Sequence, residues 1–194
     1  MTQIAGRTAL ITGGASGIGL LMGRMLLEQG AARLVVWDVS LSNIEAAQAI
    51  LGPLGAVVFD RVDVSDTEAV LAAVARLKAD GTKIDLHINN AGIVVGKPFL
   101  EHGHADIDRT IAINTGALMH LTRALLPDMA AHGQGHVVNI ASAHGLTASP
   151  FKGAYVAAKH GIVGMTKVVA LETAREPITC NAICPGYVLT PLVE

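Results

Sequence analysis

Ser142, Tyr155 and Lys159 are the residues of this chain best spaced for acid–base chemistry. The run from Asn139 reads Asn-Ile-Ala-Ser, then a loop, then Ala-Tyr-Val-Ala-Ala-Lys. Gly-His-Val-Val-Asn-Ile before it has the character of a buried strand, and Gly153 to Thr173 that of a long helix. Tyr155 and Lys159 are four apart, so a helix stacks them on one face, one turn apart. An ammonium beside a phenol favours the phenolate and draws its pKa down from about 10. Tyr155 is then a candidate proton donor and acceptor, with Ser142 placed to hydrogen-bond a substrate oxygen. A surface lysine beside a packed tyrosine would have the same spacing, so the rest of the chain must discriminate.

The 194 residues suffice for one domain with a substantial core. With 51% apolar and 3% aromatic residues, Ala, Val, Ile, Leu and Gly must build that core, which suits parallel strands packed closely against helices. A net charge of −2 without a basic block gives no electrostatic support for binding nucleic acid or a membrane surface. No apolar run reaches membrane-spanning length, and the N-terminus lacks a signal-peptide pattern; the expectation is a cytoplasmic protein. Cys180 and Cys184 lie in one local stretch and are expected to be packed and reduced.

Strand and helix patterns alternate along the chain. Strands are expected at Arg7 to Thr12, Arg33 to Trp37, Ala56 to Val62, Ile84 to Ile88, before Ser142, and at Ile178 to Ile183. Helices are expected at Ile18 to Gln29 (stopped by Gly30), Asn43 to Leu51, from a cap at Ser65–Asp66 to Lys78, and Ile107 to Ala131, interrupted in character at Asn114. The alternation predicts an α/β fold: one domain over 1–194, a doubly wound, Rossmann-like parallel sheet in three layers. The helices from Ile107 and from Gly153 are apolar nearly all round, where one stripe would cover a sheet. The surplus predicts a homo-oligomer, a dimer or tetramer, through those two helices.

Between the first strand and first helix lies Thr12-Gly13-Gly14-Ala15-Ser16-Gly17-Ile18-Gly19. Glycines there permit a sharp turn and close approach of a ligand, and a helix N-terminus offers free N–H groups to a phosphate. The spacing is Gly-x-x-x-Gly-x-Gly, which departs from the general dinucleotide fingerprint while keeping its strand-to-helix context. Asp38 ends the second strand, where a carboxylate can accept from an adenosine ribose hydroxyl and would repel a 2′-phosphate. Neither Ser16 nor Val39 supplies a compensating cation, so NAD is favoured over NADP.

Together these segments resemble the short-chain dehydrogenase/reductase family. The likeness rests on Thr-Gly-x-x-x-Gly-x-Gly, Asp63-Val64, Asn89-Asn90-Ala91-Gly92, Asn114, Ser142, Tyr155-x-x-x-Lys159 and Pro185-Gly186 with Thr190. The resemblance implies a nicotinamide cofactor held by Gly13, Ser16, Gly17, Ile18, Gly19, Asp38, Asp63, Val64, Asn90, Ala91, Gly92, Tyr155, Lys159, Pro185, Gly186, Val188 and Thr190. It implies a catalytic set of Asn114, Ser142, Tyr155 and Lys159, with Lys159 also binding the nicotinamide ribose and Asn114 holding a water in a proton relay.

From Ala141 onward the text is similar in detail to bacterial D-3-hydroxybutyrate dehydrogenases, which implies that His144 and Lys152 hold a substrate carboxylate beside Ser142 and Tyr155. Val94 departs from that pattern, because those enzymes carry a Gln contact there. A neutral secondary alcohol or ketone therefore stays open as substrate. Family members also continue well beyond Thr190, into a substrate lid and a final strand. The expectation here is a domain short of both, or a fragment, with the sixth strand at an edge. Two other classes stay open: a catalytically silent nucleotide-binding scaffold, and a metal enzyme suggested by eight histidines. No Cys or carboxylate complements those histidines at ligand spacing, so no metal site is expected.

Overall fold

The computed structural model describes residues 3–189. The strands are β1 (Thr8–Thr12), β2 (Arg33–Asp38), β3 (Val57–Arg61), β4 (Leu86–Asn89), β5 (Gly135–Ile140) and β6 (Ile178–Ile183). The helices are α1 (Gly17–Glu28), α2 (Leu41–Leu51), α3 (Thr67–Ala79), α4 (His104–Ile111), α5 (Ala117–Ala131) and α6 (Gly153–Glu172). All six strands run parallel in one sheet, in the order β3-β2-β1-β4-β5-β6. The doubly wound expectation is met.

Leu34, Val35, Val36 and Trp37 of β2 are all fully buried, the continuous apolar run of a strand covered on both faces. On one face α1 and α2 set Leu26, Leu27, Ile44, Ala47 and Leu51 against Ile11, Leu34 and Val36. On the other, α3 and α5 set Val70, Val74, Leu121, Leu125 and Met129 against Leu10, Val35 and Val137, with Val169 of α6 packed alongside. Each fully buried Leu or Ile contributes about 1.5–3 kcal/mol, so the centre of the sheet is a stiff platform. The outer strand β6 pairs only with β5 among the described residues, and its Thr179, Asn181 and Ile183 are exposed.

Element ends differ from expectation where a side chain intervenes. The Ser40 hydroxyl accepts from the Asn43 N–H at 3.3 Å, so α2 opens at Leu41 rather than Asn43. The Asp106 carboxylate accepts from the Gly103 N–H at 3.3 Å and pairs with Lys97 at 2.7 Å, so α4 opens at His104 rather than Ile107. The expected break at Asn114 is a wide π turn over Ala112–Gly116, which separates α4 from α5.

A buried polar row crosses the sheet below the cleft. His87 Nε2–H donates to Asn89 Oδ1 at 2.7 Å, a tautomer assigned because the acceptor is an amide oxygen. Asn89 Nδ2 donates to Asn139 Oδ1 at 2.9 Å and to Thr122 at 3.2 Å. Asn139 Nδ2 then donates to Thr166 Oγ1 at 2.9 Å, on α6. Two strands and two helices are thereby joined by buried side chains.

Candidate active site

The chain runs outward from β1 through β2 to β3 and then crosses back to β4 on the other side of β1, and this reversal opens a crevice at the strands' carboxyl ends. The loops after β1 and β4 meet there. Thr12 Oγ1 accepts from the N–H groups of Asn90 and Ala91, each at 3.1 Å. Asn90 Nδ2 donates back to the carbonyls of Thr12 and Gly13, at 3.1 and 2.9 Å. Asn90 therefore braces the glycine loop as well as lining the cleft. Gly13 and Gly17 hold φ of 60° and 51°, the left-handed region that favours glycine. Gly19 does not line the cleft; a Cβ there would sit 2.2 Å from the Gly13 carbonyl oxygen, so its place requires glycine by contact.

The cleft encloses about 440 Å³, within the range of ligand sites. Gly13, Ser16, Gly17 and Ile18 line it where α1 begins. Ser16 makes no side-chain cap, and the first turn of α1 holds no acidic residue. The helix N-terminus is thus unopposed for an anion, and these residues fit the diphosphate of a dinucleotide.

At the outer end lie Asp38, Asp63, Val64 and Arg109. Asp38 is only 8% exposed; its oxygens accept from the Ala15 N–H at 3.1 Å and the Ser40 N–H at 3.0 Å. The Ser65 hydroxyl, at 2.6 Å, chiefly holds the Asp63 carboxyl below its usual range, with Arg109 and Arg61 reinforcing it against partial burial. Arg109 was not foreseen. Its spacing of four from Ile113, which also lines the cleft, is the signal that could have revealed it.

At the inner end lie Ser142, Tyr155, Lys159, Asn114, Ala91 and Gly92. The 3₁₀ turn after β5 leaves Ser142 extended, with its hydroxyl accepting from the His144 N–H at 3.1 Å. Helix α6 carries Tyr155 and Lys159 as expected. Lys159 Nζ lies 5.5 Å from the centre of the Tyr155 ring, and Lys159 is 4% exposed. Burial pulls the ammonium down to about 8, so it remains mostly charged at neutral pH. In the π turn, Asn114 Nδ2 donates to the carbonyls of Thr110 and Ile93, both at 2.9 Å. Asn114 Oδ1 is buried without a hydrogen-bond partner among the described residues. A Cβ on Gly92 would lie 2.7 Å from Asn114 Oδ1 and 3.7 Å from Lys159 Nζ, so both polar atoms close on the same spot.

Of the residues expected at the substrate, Ser142 and Tyr155 line the cleft, whereas His144 and Lys152 do not. The His144 ring meets Tyr155 edge-on at 6.1 Å, and its Nδ1 lies 3.5 Å from Ser142 Oγ. Desolvation, then the charge of Lys152, lower the His144 pKa. Val94 does not line the cleft. Pro185, Gly186 and Val188 do, while Thr190 lies outside the described residues.

A dinucleotide cradle beside a Ser–Tyr–Lys–Asn set defines a class of enzyme. The family profile described as short chain dehydrogenase matches residues 7–194, and the chain belongs to that family. It is an oxidoreductase acting on CH–OH groups with a nicotinamide cofactor. Among its relatives, the D-beta-hydroxybutyrate dehydrogenase of Rhizobium meliloti (strain 1021) is 42% identical over 97% of this chain and 74% of its own. That of Cupriavidus necator (strain ATCC 17699) is 44% identical over 99% and 74%. The crystal structure of levodione reductase superposes with a TM-score of 0.92 at 37% identity, covering 97% of this chain and 74% of that one.

Proposed function

We propose that the enzyme is NAD-dependent and interconverts a short 3-hydroxy acid, such as 3-hydroxybutyrate, with its 3-oxo form. The bound nicotinamide supplies hydride transfer. Tyr155 exchanges the proton with the substrate oxygen while Ser142 donates a hydrogen bond to that oxygen. The Lys159 ammonium, 5.5 Å from the centre of the Tyr155 ring, places positive charge beside the reacting phenol, and the free acceptor Asn114 Oδ1 would hold a water that passes protons toward solvent. NAD rather than NADP is supported by the buried Asp38 carboxylate at the adenosine end.

The observation that carries the 3-hydroxy acid is the seating of His144 against Tyr155 and Ser142, with the Lys152 charge close enough to lower the His144 pKa. A carboxylate would find both a cation and a ring N–H there. The test compares turnover of 3-hydroxybutyrate and 2-butanol with NAD. The acid should be strongly preferred, and Tyr155→Phe should nearly abolish turnover while NAD binding persists. Equal rates on the two alcohols would overturn the acid, and undiminished turnover by the variant would remove Tyr155 from its role.

A neutral alcohol or ketone is the second reading. It is favoured by Val94, which offers no polar contact, and by the exposed Phe99, Leu146 and Phe151 on neighbouring loops. The same comparison separates the two. The exposed Met119 of α5 and Val168 and Leu171 of α6 support assembly of like subunits through those helices.

A further inference from the structure

Tyr187 sits between cleft-lining residues, yet neither the glycine loop nor the Ser–Tyr–Lys–Asn set uses it. Its hydroxyl accepts from Lys152 Nζ at 3.3 Å, and its ring centre lies 5.1 Å from the same ammonium. Its ring also meets His144 edge-on at 6.0 Å. The His144 imidazole thus has Tyr155 at one edge and Tyr187 at the other, each about 6 Å away.

Lys152 would otherwise be a four-carbon side chain free to roam, and ordering it costs rotamer entropy. The phenol oxygen restrains it by accepting from the ammonium, whose charge also lies near the electron-rich ring. Because the phenol oxygen accepts from the ammonium, its own proton stays available for donation. An acidic ligand reaching Lys152 therefore meets the ammonium and a phenolic O–H side by side. Only one imidazole separates Tyr187 from Tyr155, so the carbinol and carboxylate they hold are few bonds apart.

We infer that Tyr187 is a specificity-determining residue, which orients Lys152 and donates its own hydroxyl to the substrate carboxylate. The inference rests on the 3-hydroxy acid reading above. Tyr187→Phe keeps the ring and its π contact and deletes only the oxygen. With NAD saturating, KM for 3-hydroxybutyrate should rise about tenfold, the scale of one hydrogen bond to a charged group, with kcat within about twofold. Turnover of 2-butanol should be unchanged. An unchanged KM for the acid overturns the role of Tyr187, as does an equal loss on both substrates, which would mark a structural residue. If the unaltered enzyme already shows no preference for the acid, the substrate reading itself fails and the inference falls with it.

Discussion

Lys159 Nζ donates to the carbonyl oxygen of Ile140 at 2.7 Å, tying the helix that carries Tyr155 to the end of β5. The bond fixes where the charge sits relative to Tyr155, and burial is its cost. Lys159 titrates near 8 in the folded enzyme against 10.5 when free.

That displacement makes stability depend on pH in a definite direction. Between pH 8 and 10.5 the unfolded chain holds a proton that the folded enzyme has released, so stability rises with pH across this window. Below it the full penalty applies, on the order of 3 kcal/mol. Lys159→Met should be inactive yet more stable than the parent at pH 7, less the loss of one hydrogen bond. Urea midpoints should show that gap shrinking toward pH 10. A gap independent of pH would mean that burial of the charge is not what the variant relieves.

His87 makes the opposite end of the pH range vulnerable. Its complete burial holds the imidazole down to about 4, against 6.5 when free. Between those values the unfolded chain binds a proton that the folded one refuses, so stability falls as pH drops through the window, by on the order of 3 kcal/mol. His87→Gln keeps an N–H donor for Asn89 without a titrating group. Its urea midpoint should change little between pH 6.5 and 4, while that of the parent falls steeply; parallel profiles would refute the assignment.

Gly92→Ala probes the spot shared by Asn114 and Lys159. The new methyl would stand 2.7 Å from Asn114 Oδ1, and the crowded amide is pinned by two hydrogen bonds. Turnover measured at saturating NAD should fall by about tenfold or more, as small displacements of positioned groups allow. Normal kcat in a folded variant would show that Asn114 need not stay where it is.

Asp38→Asn retains an oxygen to accept from the Ala15 or Ser40 N–H and removes the charge. The ratio of kcat/KM for NADP to that for NAD should rise by about tenfold or more, since a charge facing a phosphate costs at least a kcal/mol or two. An unmoved ratio would take the choice of cofactor away from Asp38.

Much of this was legible because its signals are local. The Gly30 stop, the Asp66 cap, the glycine loop and the Tyr155–Lys159 spacing each depend on residues within one turn of each other. Boundaries set by distant partners were not. Strand β4 begins at Leu86 rather than Ile84: the Asp85 carboxylate, in place of a strand carbonyl, accepts from the Thr8 N–H at 2.8 Å. Nor does periodicity disclose that Asn89 and Asn139, each an ordinary strand-end amide in sequence, bond to one another across strands. The cleft's Arg109 was missed for a related reason: a charged residue on a helix reads as solvated until the sheet beneath it is known.

The row from His87 through Asn89 and Asn139 to Thr166 bears on how such a protein can change. Thr166 lies two helical turns beyond Lys159, on the same side of α6, so the amides set the rotation at which that helix meets the strands. Sliding any partner by one residue would strand donors in a dry interior. The proton-handling groups are thereby indexed to the interior, whereas Lys152 and Tyr187 answer to one another and to His144 at the surface. Selection can redraw that surface for a new alcohol while the chemistry beneath it keeps its alignment.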